Sequence, residues 1–372
     1  MSEYYIQPYD WKSVDIDDEL LQIKIWGHDN NSNRVVVYIN DYKPFCRIQL
    51  PTRTIKGKDK DGFDEQDLTW NNDLVEIFMK WITKIMGDNA PIDHEFKMYQ
   101  NLYNYNGDKR HPYLTLTFNS LNAVRHCGNL FNKKEWLIYG IGYIKPIIRE
   151  KDISIIHQFI TKLDVGYGQW LKVVGDVVDN SERRTFKTFE IEVGWENIQP
   201  LDENICKGWM VNPVVASIDI ECYSSNHKSM PNKSHISDCV TMISWISQRL
   251  KDDSTRRRVL LALKGCDDIP GAEVRVFNDE IDMLKELGNL ILEDDPTIIT
   301  GYNINKFDLP YIKERFDIYR EDLPNCSCLI DGESRITSSS WKSSAYGNIQ
   351  ISNIEAEGRI TIDMYTIIQR DY

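Results

Sequence analysis

The stretch VVASIDIECYSS, residues 214–225, decides the fold of the second half of the chain. Small and branched apolar residues form a strand pattern that ends with two acids, Asp219 and Glu221, separated by one isoleucine. Side chains alternate between the two faces of a strand, so both carboxylates are predicted on one face and Ile218 and Ile220 on the other. The stretch therefore predicts a strand with one buried face and one acidic face.

Two carboxylates on one strand face repel each other unless a positive charge lies between them. A divalent cation is the expected partner, because hard oxygen ligands suit Mg²⁺ or Mn²⁺ and a phosphate group supplies further oxygens. The alternative is a solvated strand end with two exposed acids, which is a common pattern in isolation. A second feature of the sequence is needed to choose between these interpretations.

The composition is that of an ordinary globular protein. The chain has 372 residues, enough for two domains, with 41% hydrophobic and 27% charged residues. No run approaches the ~18 consecutive apolar residues of a membrane span, and the first ten residues show no secretory signal, so neither a membrane location nor secretion is predicted. Eight cysteines without the spacing of a disulfide framework or a zinc site favour a reducing, intracellular compartment.

The formal net charge of −13 bears on the class of partner. Proteins that bind duplex DNA over a broad surface neutralise its phosphates with Lys and Arg, so this charge argues against that class. It leaves open an enzyme that grips a short strand in a cleft through metal ions.

Apolar periodicity around the acidic strand predicts a mixed sheet covered by helices, in an α/β fold class. The first ~200 residues show mixed α and β patterns, and a polar stretch then ends in Pro213, so we predict two domains, 1–210 and 211–372. The elements predicted in the second domain are a hairpin over 239–265, a strand at 273–277, a helix over 278–295 with Asn278 as N-cap, a strand, loop and helix over 296–317, and a serine-rich loop over 338–347.

A third acid follows another apolar strand in DPTIITGYNINKFDLPYI, residues 295–312. Asp308 is predicted at the start of a helix that continues through Pro310, and a carboxylate at that position also suits a simple cap. Asn303 by itself fits a turn residue, and Phe307 by itself fits the core. Taken singly, these residues leave capping and catalysis both open.

Together, SIDIECYS (217–224) and TGYNINKFDLPYI (300–312) strongly resemble the first and second exonuclease motifs of family B DNA polymerases, D-x-E and N-x-x-x-F-D. Residues 277–312 are similar to the same stretch of polymerases of the eukaryotic delta-like or large-DNA-virus type. Residues 140–173 resemble the polymerase N-terminal domain. The resemblance covers essentially the whole chain and is strongest over 214–312.

The resemblance implies a mixed α+β polymerase N-terminal domain over 1–210. Over 211–372 it implies a ribonuclease H-like 3′→5′ exonuclease domain, incomplete at its C-terminus, that removes misincorporated nucleotides. By this resemblance Asp219, Glu221 and Asp308 are catalytic and bind two Mg²⁺ or Mn²⁺ ions. Two such ions activate a water for in-line attack and stabilise the leaving 3′-oxygen.

The same resemblance implies contacts to the substrate and to partners. Phe307 is expected near the terminal bases, where aromatic stacking accepts any base, and Asn303 and Tyr302 are expected to shape the strand path. The implied partners are DNA, as a single-stranded 3′ end and a primer-template, the remaining polymerase domains in the same or a second chain, and a sliding clamp. The implied location is intracellular, in the nucleus or at a viral replication site.

Two features depart from the family. Its third motif, Y-x-x-x-D, is not found: Asp363 precedes the expected position, and Gln369 stands four residues after Tyr365. The polymerase signatures D-x-x-S-L-Y-P and Y-G-D-T-D are not found either. The sequence therefore predicts the N-terminal portion of a family B DNA polymerase, as a fragment, a truncated product or half of a split enzyme. Two alternatives stay open: a stand-alone ribonuclease H-like nuclease, and a degenerate scaffold without catalysis.

Overall fold

The computed structural model describes residues 1–17, 19–56, 64–101, 107–132, 134–150, 153–343 and 347–371. The chain divides into two compact units, each built from three segments of sequence. The first unit is Met1–Ile25, Val37–Asp176 and Ile191–Glu203, and the second is Trp26–Val36, Val177–Glu190 and Asn204–Tyr372. The polymerase assignments of the two predicted domains, 1–210 and 211–372, stay predictions.

Strands and helices alternate irregularly along the first two hundred residues, as their mixed pattern predicts. The helices are α1 (Asn72–Met86), α2 (Leu121–Phe131) and α3 (Ile155–Leu163). The strands are β1 (Ser2–Ile16), β2 (Leu20–Asp29), β3 (Arg34–Ile39), β4 (Phe45–Gln49), β5 (Asp93–Gln100), β6 (Arg110–Thr117), β7 (Trp136–Ile138), β8 (Gly142–Ile144), β9 (Ile147–Arg149), β10 (Leu171–Val177), β11 (Phe189–Glu192) and β12 (Ile198–Pro200).

The core of the first unit forms where α1 and α2 pack on a four-stranded sheet of order β5-β6-β4-β9. Both helices begin at a side-chain cap: the Asn71 side chain accepts from the Leu74 N–H, and the Ser120 side chain accepts from the Ala123 N–H. Their apolar faces then meet the sheet, with Phe78 and other large side chains fully buried. In the same unit, β1 pairs antiparallel with β10, which pairs antiparallel with β12.

The second unit is built on a six-stranded sheet. Its elements are α4 (Glu203–Cys206), β13 (Val214–Cys222), β14 (Val240–Arg249), β15 (Arg257–Leu263), β16 (Glu273–Phe277), α5 (Glu280–Asp294), β17 (Ile298–Gly301), α6 (Asp308–Tyr319), β18 (Ser334–Ser343), β19 (Gly347–Ala356), β20 (Ile360–Asp363) and α7 (Met364–Asp371). The strand order is β16-β15-β14-β13-β17-β20. β13, β14 and β15 are antiparallel neighbours, whereas β17 and β20 run parallel to β13 and β16 runs parallel to β15. The predicted mixed sheet and the hairpin over 239–265 are therefore confirmed.

Helices α5 and α6 supply most of the apolar partners of this sheet. Leu284, Leu287 and Ile291 of α5 are fully buried, and Leu309 and Ile312 of α6 join the same core as Ile218 and Trp245 of the sheet. The apolar positions of α5 recur at helical spacing, so one face packs on the sheet and the other stays polar. Within the described ranges, no helix is both long and apolar enough to cross a membrane.

Two local predictions are wrong. The N-cap of α5 is Asp279 rather than Asn278, because Glu280 opens the helix with a buried carboxylate that accepts from the Val240 N–H at 2.8 Å. The serine-rich residues 338–343 continue β18 rather than form a loop, while 344–346 lie outside the described residues. Pairing with β19 outweighs serine's preference for loops: Ser338 lies opposite Ser352, and their hydroxyls are 2.9 Å apart.

Candidate active site

The ends of three parallel strands form the edge at which the candidate site lies. Ser217 of β13 pairs with Thr300 of β17, and Gly301 at the end of β17 pairs with Asp363 at the end of β20. The carboxyl ends of parallel strands meet at one edge of a sheet, where α/β folds hold their ligands. The acids of β13, the loop after β17 and the start of α7 therefore share this edge.

Strand β13 presents its two acids on one face, as the alternation predicts. Asp219 and Glu221 are exposed, whereas the intervening Ile220 is 4% exposed and Ile218 is 1% exposed. The alternation continues through the strand, because the inward side chains Ala216, Ile218 and Ile220 belong to the same hydrophobic core as α5 and α6. Both carboxylates are thus open to ligands from solvent while their strand is anchored from behind.

Glycine at position 301 allows β17 to approach β13 closely at this edge. A Cβ at that position would lie 2.5 Å from the backbone oxygen of Ile218 and would also collide with the Ile304 side chain. No side chain fits there, so the strand end and the following loop depend on the glycine. The loop consequently begins directly beside the acidic strand.

Asp308 is the first residue of α6 and is 3% exposed. Its carboxylate accepts a hydrogen bond of 3.0 Å from the backbone N–H of Ile220. The N-cap position belongs to Phe307, so Asp308 is the first helical residue, and its carboxylate reaches the neighbouring strand as well as lying in the first turn of α6. Helix α6 is thus joined to the strand between its two acids, at a point beyond the last residue of β13 that pairs with β17.

The pKa of Asp308 is raised to about 6. Burial is the largest cause, the negative charges of Asp219 and Asp363 act in the same direction, and the hydrogen bond from Ile220 opposes them. The carboxylates of Asp219 and Asp308 thus interact electrostatically. Cys222, at the end of β13, has its pKa raised to about 12, first by burial and also by the neighbouring carboxylates. Its thiol therefore stays protonated near neutral pH and is not a nucleophile.

Asp363 lies at the site although the sequence sets it aside, because it precedes the expected position of the third motif. Its buried carboxylate accepts from the backbone N–H groups of Asn303 at 2.8 Å, Asn305 at 3.0 Å and Tyr365 at 2.9 Å. It thereby fixes the loop after β17 and the start of α7 to one group. The signal that reveals it is its place at the end of a strand parallel to β13, which only the sheet topology gives.

The three residues predicted to contact substrate have different environments. Asn303 turns the chain with a left-handed φ of 63°, a conformation that asparagine tolerates better than most residues. Tyr302 is 61% exposed and meets Tyr365 edge to face, with ring centroids 5.4 Å apart. Phe307 is half-buried and packs against the core, and its ring is tilted against that of Tyr311 at 5.6 Å. Tyr302 is therefore the more accessible of the two predicted aromatic contacts.

The donor set of the site consists of carboxylate oxygens, which fits Mg²⁺ or Mn²⁺ rather than softer metals. Across the described ranges, no three His, Cys, Asp or Glu side chains converge on a single metal position. Asp219 and Glu221 face outward, whereas Asp308 is turned towards the Ile220 N–H. The assignment of all three acids to shared metal ions stays a prediction.

Comparisons with known proteins agree on one family. Residues 147–372 match the model of the DNA polymerase family B exonuclease domain. DNA polymerase 120R of Invertebrate iridescent virus 3 is 26% identical over 98% of this chain and 32% of its own length. The DNA polymerase delta catalytic subunit of Oryza sativa subsp. japonica is 24% identical over 94% of this chain and 31% of its own length.

A solved structure shares the fold. The family B DNA polymerase of the hyperthermophilic archaeon Pyrobaculum calidifontis superposes with a TM-score of 0.62 at 16% sequence identity. The match covers 99% of this chain and 37% of that one. The chain thus spans about a third of the length of the curated relatives that it matches.

Proposed function

Because the chain belongs to DNA polymerase family B, with residues 147–372 matching that family's exonuclease domain, we propose that it carries a 3′→5′ exonuclease site. The observation that carries the proposal is the hydrogen bond from Ile220 to Asp308, which joins the third acid to the strand between Asp219 and Glu221. The substrate class is a single-stranded DNA 3′ end, from which the site removes the terminal nucleotide. The parent activity is template-directed DNA synthesis with proofreading.

The three acids have distinct roles in this proposal. Asp219 and Glu221, exposed on one face of β13, are the primary metal ligands. Asp308 completes the set once it loses its proton, because a carboxylate must be ionised to bind a metal. Two divalent ions at these acids would activate a water and stabilise the leaving 3′-oxygen of the cleaved phosphodiester.

The neighbouring residues are proposed to guide the strand. Tyr302 presents an exposed ring on which a base can stack irrespective of its identity. Asn303 sets the turn that directs this ring outward from the sheet edge. Phe307 contributes the exposed part of its ring next to Asp308, while its remainder anchors α6 in the core.

The partners and location follow from the parent activity. We propose a primer-template DNA as the substrate of the whole enzyme and further polymerase domains, in this or a second chain, as the site of synthesis. A sliding clamp is the proposed processivity partner. The proposed location is intracellular, in the nucleus or at a viral replication site, where the DNA template is found.

The experiment combines Mn²⁺ titration with hydrolysis of a 5′-labelled oligonucleotide. Asp219→Ala is expected to abolish tight Mn²⁺ binding and to slow hydrolysis about a hundredfold or more. Asp268→Ala, which removes an exposed acid from the loop between β15 and β16, is the matched control and should leave both measurements unchanged. Mn²⁺ binding that persists in Asp219→Ala would falsify the metal assignment.

The second candidate is a scaffold that retains the fold without catalysis. One observation favours it: within the described residues, the acids do not converge as a ready metal-ligand set. The same two assays separate the candidates. A scaffold would neither bind Mn²⁺ tightly nor shorten the oligonucleotide, and Asp219→Ala would then leave the protein unaltered in both assays.

A further inference from the structure

Three side chains beside the acids form a compact group, which we call the Lys306 platform and which consists of Tyr302, Lys306 and Tyr365. The Lys306 ammonium lies 5.1 Å from the centroid of the Tyr365 ring, within the range of a cation–π interaction. The Tyr302 and Tyr365 rings are edge to face at an interplanar angle of 79°. The platform thus joins two residues of the loop between β17 and α6 with one residue of α7.

The platform is not part of the hydrophobic core. Tyr302 and Lys306 are exposed and Tyr365 is only half-buried. Its ammonium group belongs to the loop at the sheet edge that also holds the acids Asp219, Glu221 and Asp363. A chain with a net charge of −13 offers a polyanionic strand few favourable approaches, so a cation next to the acids is a specific attraction.

The Asp363 carboxylate binds the backbone at or next to each of the three platform residues. One of its carboxylate oxygens accepts from both the Asn303 N–H and the Tyr365 N–H, so the backbone beside Tyr302 and the backbone of Tyr365 share one acceptor. The other oxygen accepts from the Asn305 N–H, next to Lys306. Because Asp363 is 6% exposed, these bonds are shielded from water and fix the spacing of the three side chains.

We propose that the Lys306 platform binds the single-stranded DNA immediately upstream of the nucleotide to be removed, and that Asp363 is its positioning residue. The exposed Tyr302 ring stacks on a base, and Lys306 pairs with a phosphodiester while the Tyr365 ring limits its conformational freedom. This inference rests on the proposed exonuclease function. The inference adds to that function a contact site that raises the affinity for the DNA strand and takes no part in cleaving the bond.

The test measures binding of a fluorescein-labelled 12-nucleotide oligothymidylate to the 372-residue chain by anisotropy in Mg²⁺. A phosphorothioate at its 3′-terminal linkage slows hydrolysis during the measurement. Lys306→Ala is expected to raise the dissociation constant about three- to tenfold and to flatten its salt dependence by about one phosphate contact. Tyr302→Leu is expected to raise the dissociation constant about fivefold or more, because it removes a stacking face.

Two controls isolate the platform. Lys306→Arg keeps both the charge and the cation–π contact and should bind within about twofold of the wild type. Lys313→Ala removes one positive charge from α6, where Lys313 pairs with Asp317, and should also bind like the wild type. Asp363→Asn removes one of the carboxylate acceptors, and we expect it to raise the KM for the oligonucleotide more than it lowers kcat.

The outcomes separate this inference from the proposed function. Wild-type affinity in both Lys306→Ala and Tyr302→Leu would overturn the platform, even if the oligonucleotide is hydrolysed normally. Weakened binding in both variants supports the platform. If the wild type binds through the platform but hydrolyses no unmodified oligonucleotide, the exonuclease proposal fails and the strand-binding surface stands.

Discussion

The Asp308 carboxylate accepts a hydrogen bond of 3.0 Å from the backbone N–H of Ile220, the residue between the two acids of β13. This bond replaces the sheet pairing that β13 lacks on the β17 side at this point, since the last paired residue of β13 there is Ser217. A side chain from α6 thus completes the strand end. Burial also raises the pKa of this carboxyl group, so the stability of the folded state depends on the ionisation of Asp308.

Asp308→Asn is predicted to stabilise the metal-free protein at pH 7.5. The pKa of Asp308 is raised from 3.8 to about 6, so the folded state binds the proton more tightly than the unfolded state. The stabilisation that comes from the protonated Asp308 carboxyl is therefore complete below about pH 4 and is lost as the pH rises through about 6. A difference of about 2 pKa units corresponds to roughly 3 kcal/mol, so we expect a gain of about 1–3 kcal/mol.

Urea denaturation in EDTA at pH 7.5 and pH 4 measures this effect. The asparagine side chain keeps a carbonyl that accepts from the Ile220 N–H, so the gain should appear at pH 7.5 and vanish at pH 4. Asp268→Asn, on an exposed loop, serves as the control and should change stability by less than about 0.5 kcal/mol. A destabilised Asp308→Asn at pH 7.5 would contradict the linkage.

Mn²⁺ affinity is predicted to rise with pH through about 6. Asp308 must be ionised to act as a ligand, and its raised pKa delays that ionisation. Replacing Asp363 by Asn removes one of the negative charges that raise this pKa, so the midpoint of the affinity profile should move to lower pH. Calorimetric titrations between pH 5 and 8 give both midpoints. Coincident profiles for the two proteins would rule out the coupling between Asp308 and Asp363.

Gly301→Ala is predicted to destabilise the second unit by about 2–4 kcal/mol, because the new methyl group would meet the backbone oxygen of Ile218 at 2.5 Å. The matched control is Gly128→Ala in α2, where the nearest atom, the Ile148 Cδ1, lies at 3.9 Å. That helical substitution should be neutral or stabilising by up to about 1 kcal/mol. Chemical denaturation of both variants tests the pair, and equal effects would argue against the close approach.

Arg315→Met is predicted to cost about 3–5 kcal/mol, because it leaves the buried carboxylate of Glu280 without its cation. Arg315 is fully buried and donates to Glu280 at 2.6 Å and to the backbone oxygen of His235 at 2.8 Å. Adding Glu280→Leu should recover part of the loss, because no uncompensated charge then remains. A double-mutant cycle measured by denaturation decides this, and strict additivity would refute the pairing.

Predictability from sequence differs among the site residues for physical reasons. Strand alternation is a local property, so the sequence alone predicts Asp219 and Glu221 on one acidic face. The start of α6 at Asp308 is also predicted by local signals, which are Pro310 and the preceding loop. What Asp308 touches is not, since its partner Ile220 is 88 residues away and only the parallel pairing of β13 and β17 brings the two together.

The misses share one cause, which is that tertiary contacts override local preference. Asn278 is a good capping residue, but the buried pair of Glu280 and Arg315 determines where α5 begins. Residues 338–343 favour a loop by composition, yet a full partner strand holds them extended. Asp363 carries no motif, and its importance arises from three backbone donors that converge on it.

Because the side chains of β13 alternate between the two faces, the fold tolerates substitution of its acids but not insertion of a residue into the strand. Substituting an exposed acid leaves the packing of Ile218 and Ile220 untouched, so the proposed activity would be lost in a single step without loss of the fold. A one-codon insertion before Ile218 would turn both acids inward and both isoleucines outward. Proteins with this fold can therefore lose the acids by substitution, but an insertion that shifts the register of β13 by one residue would disrupt the core.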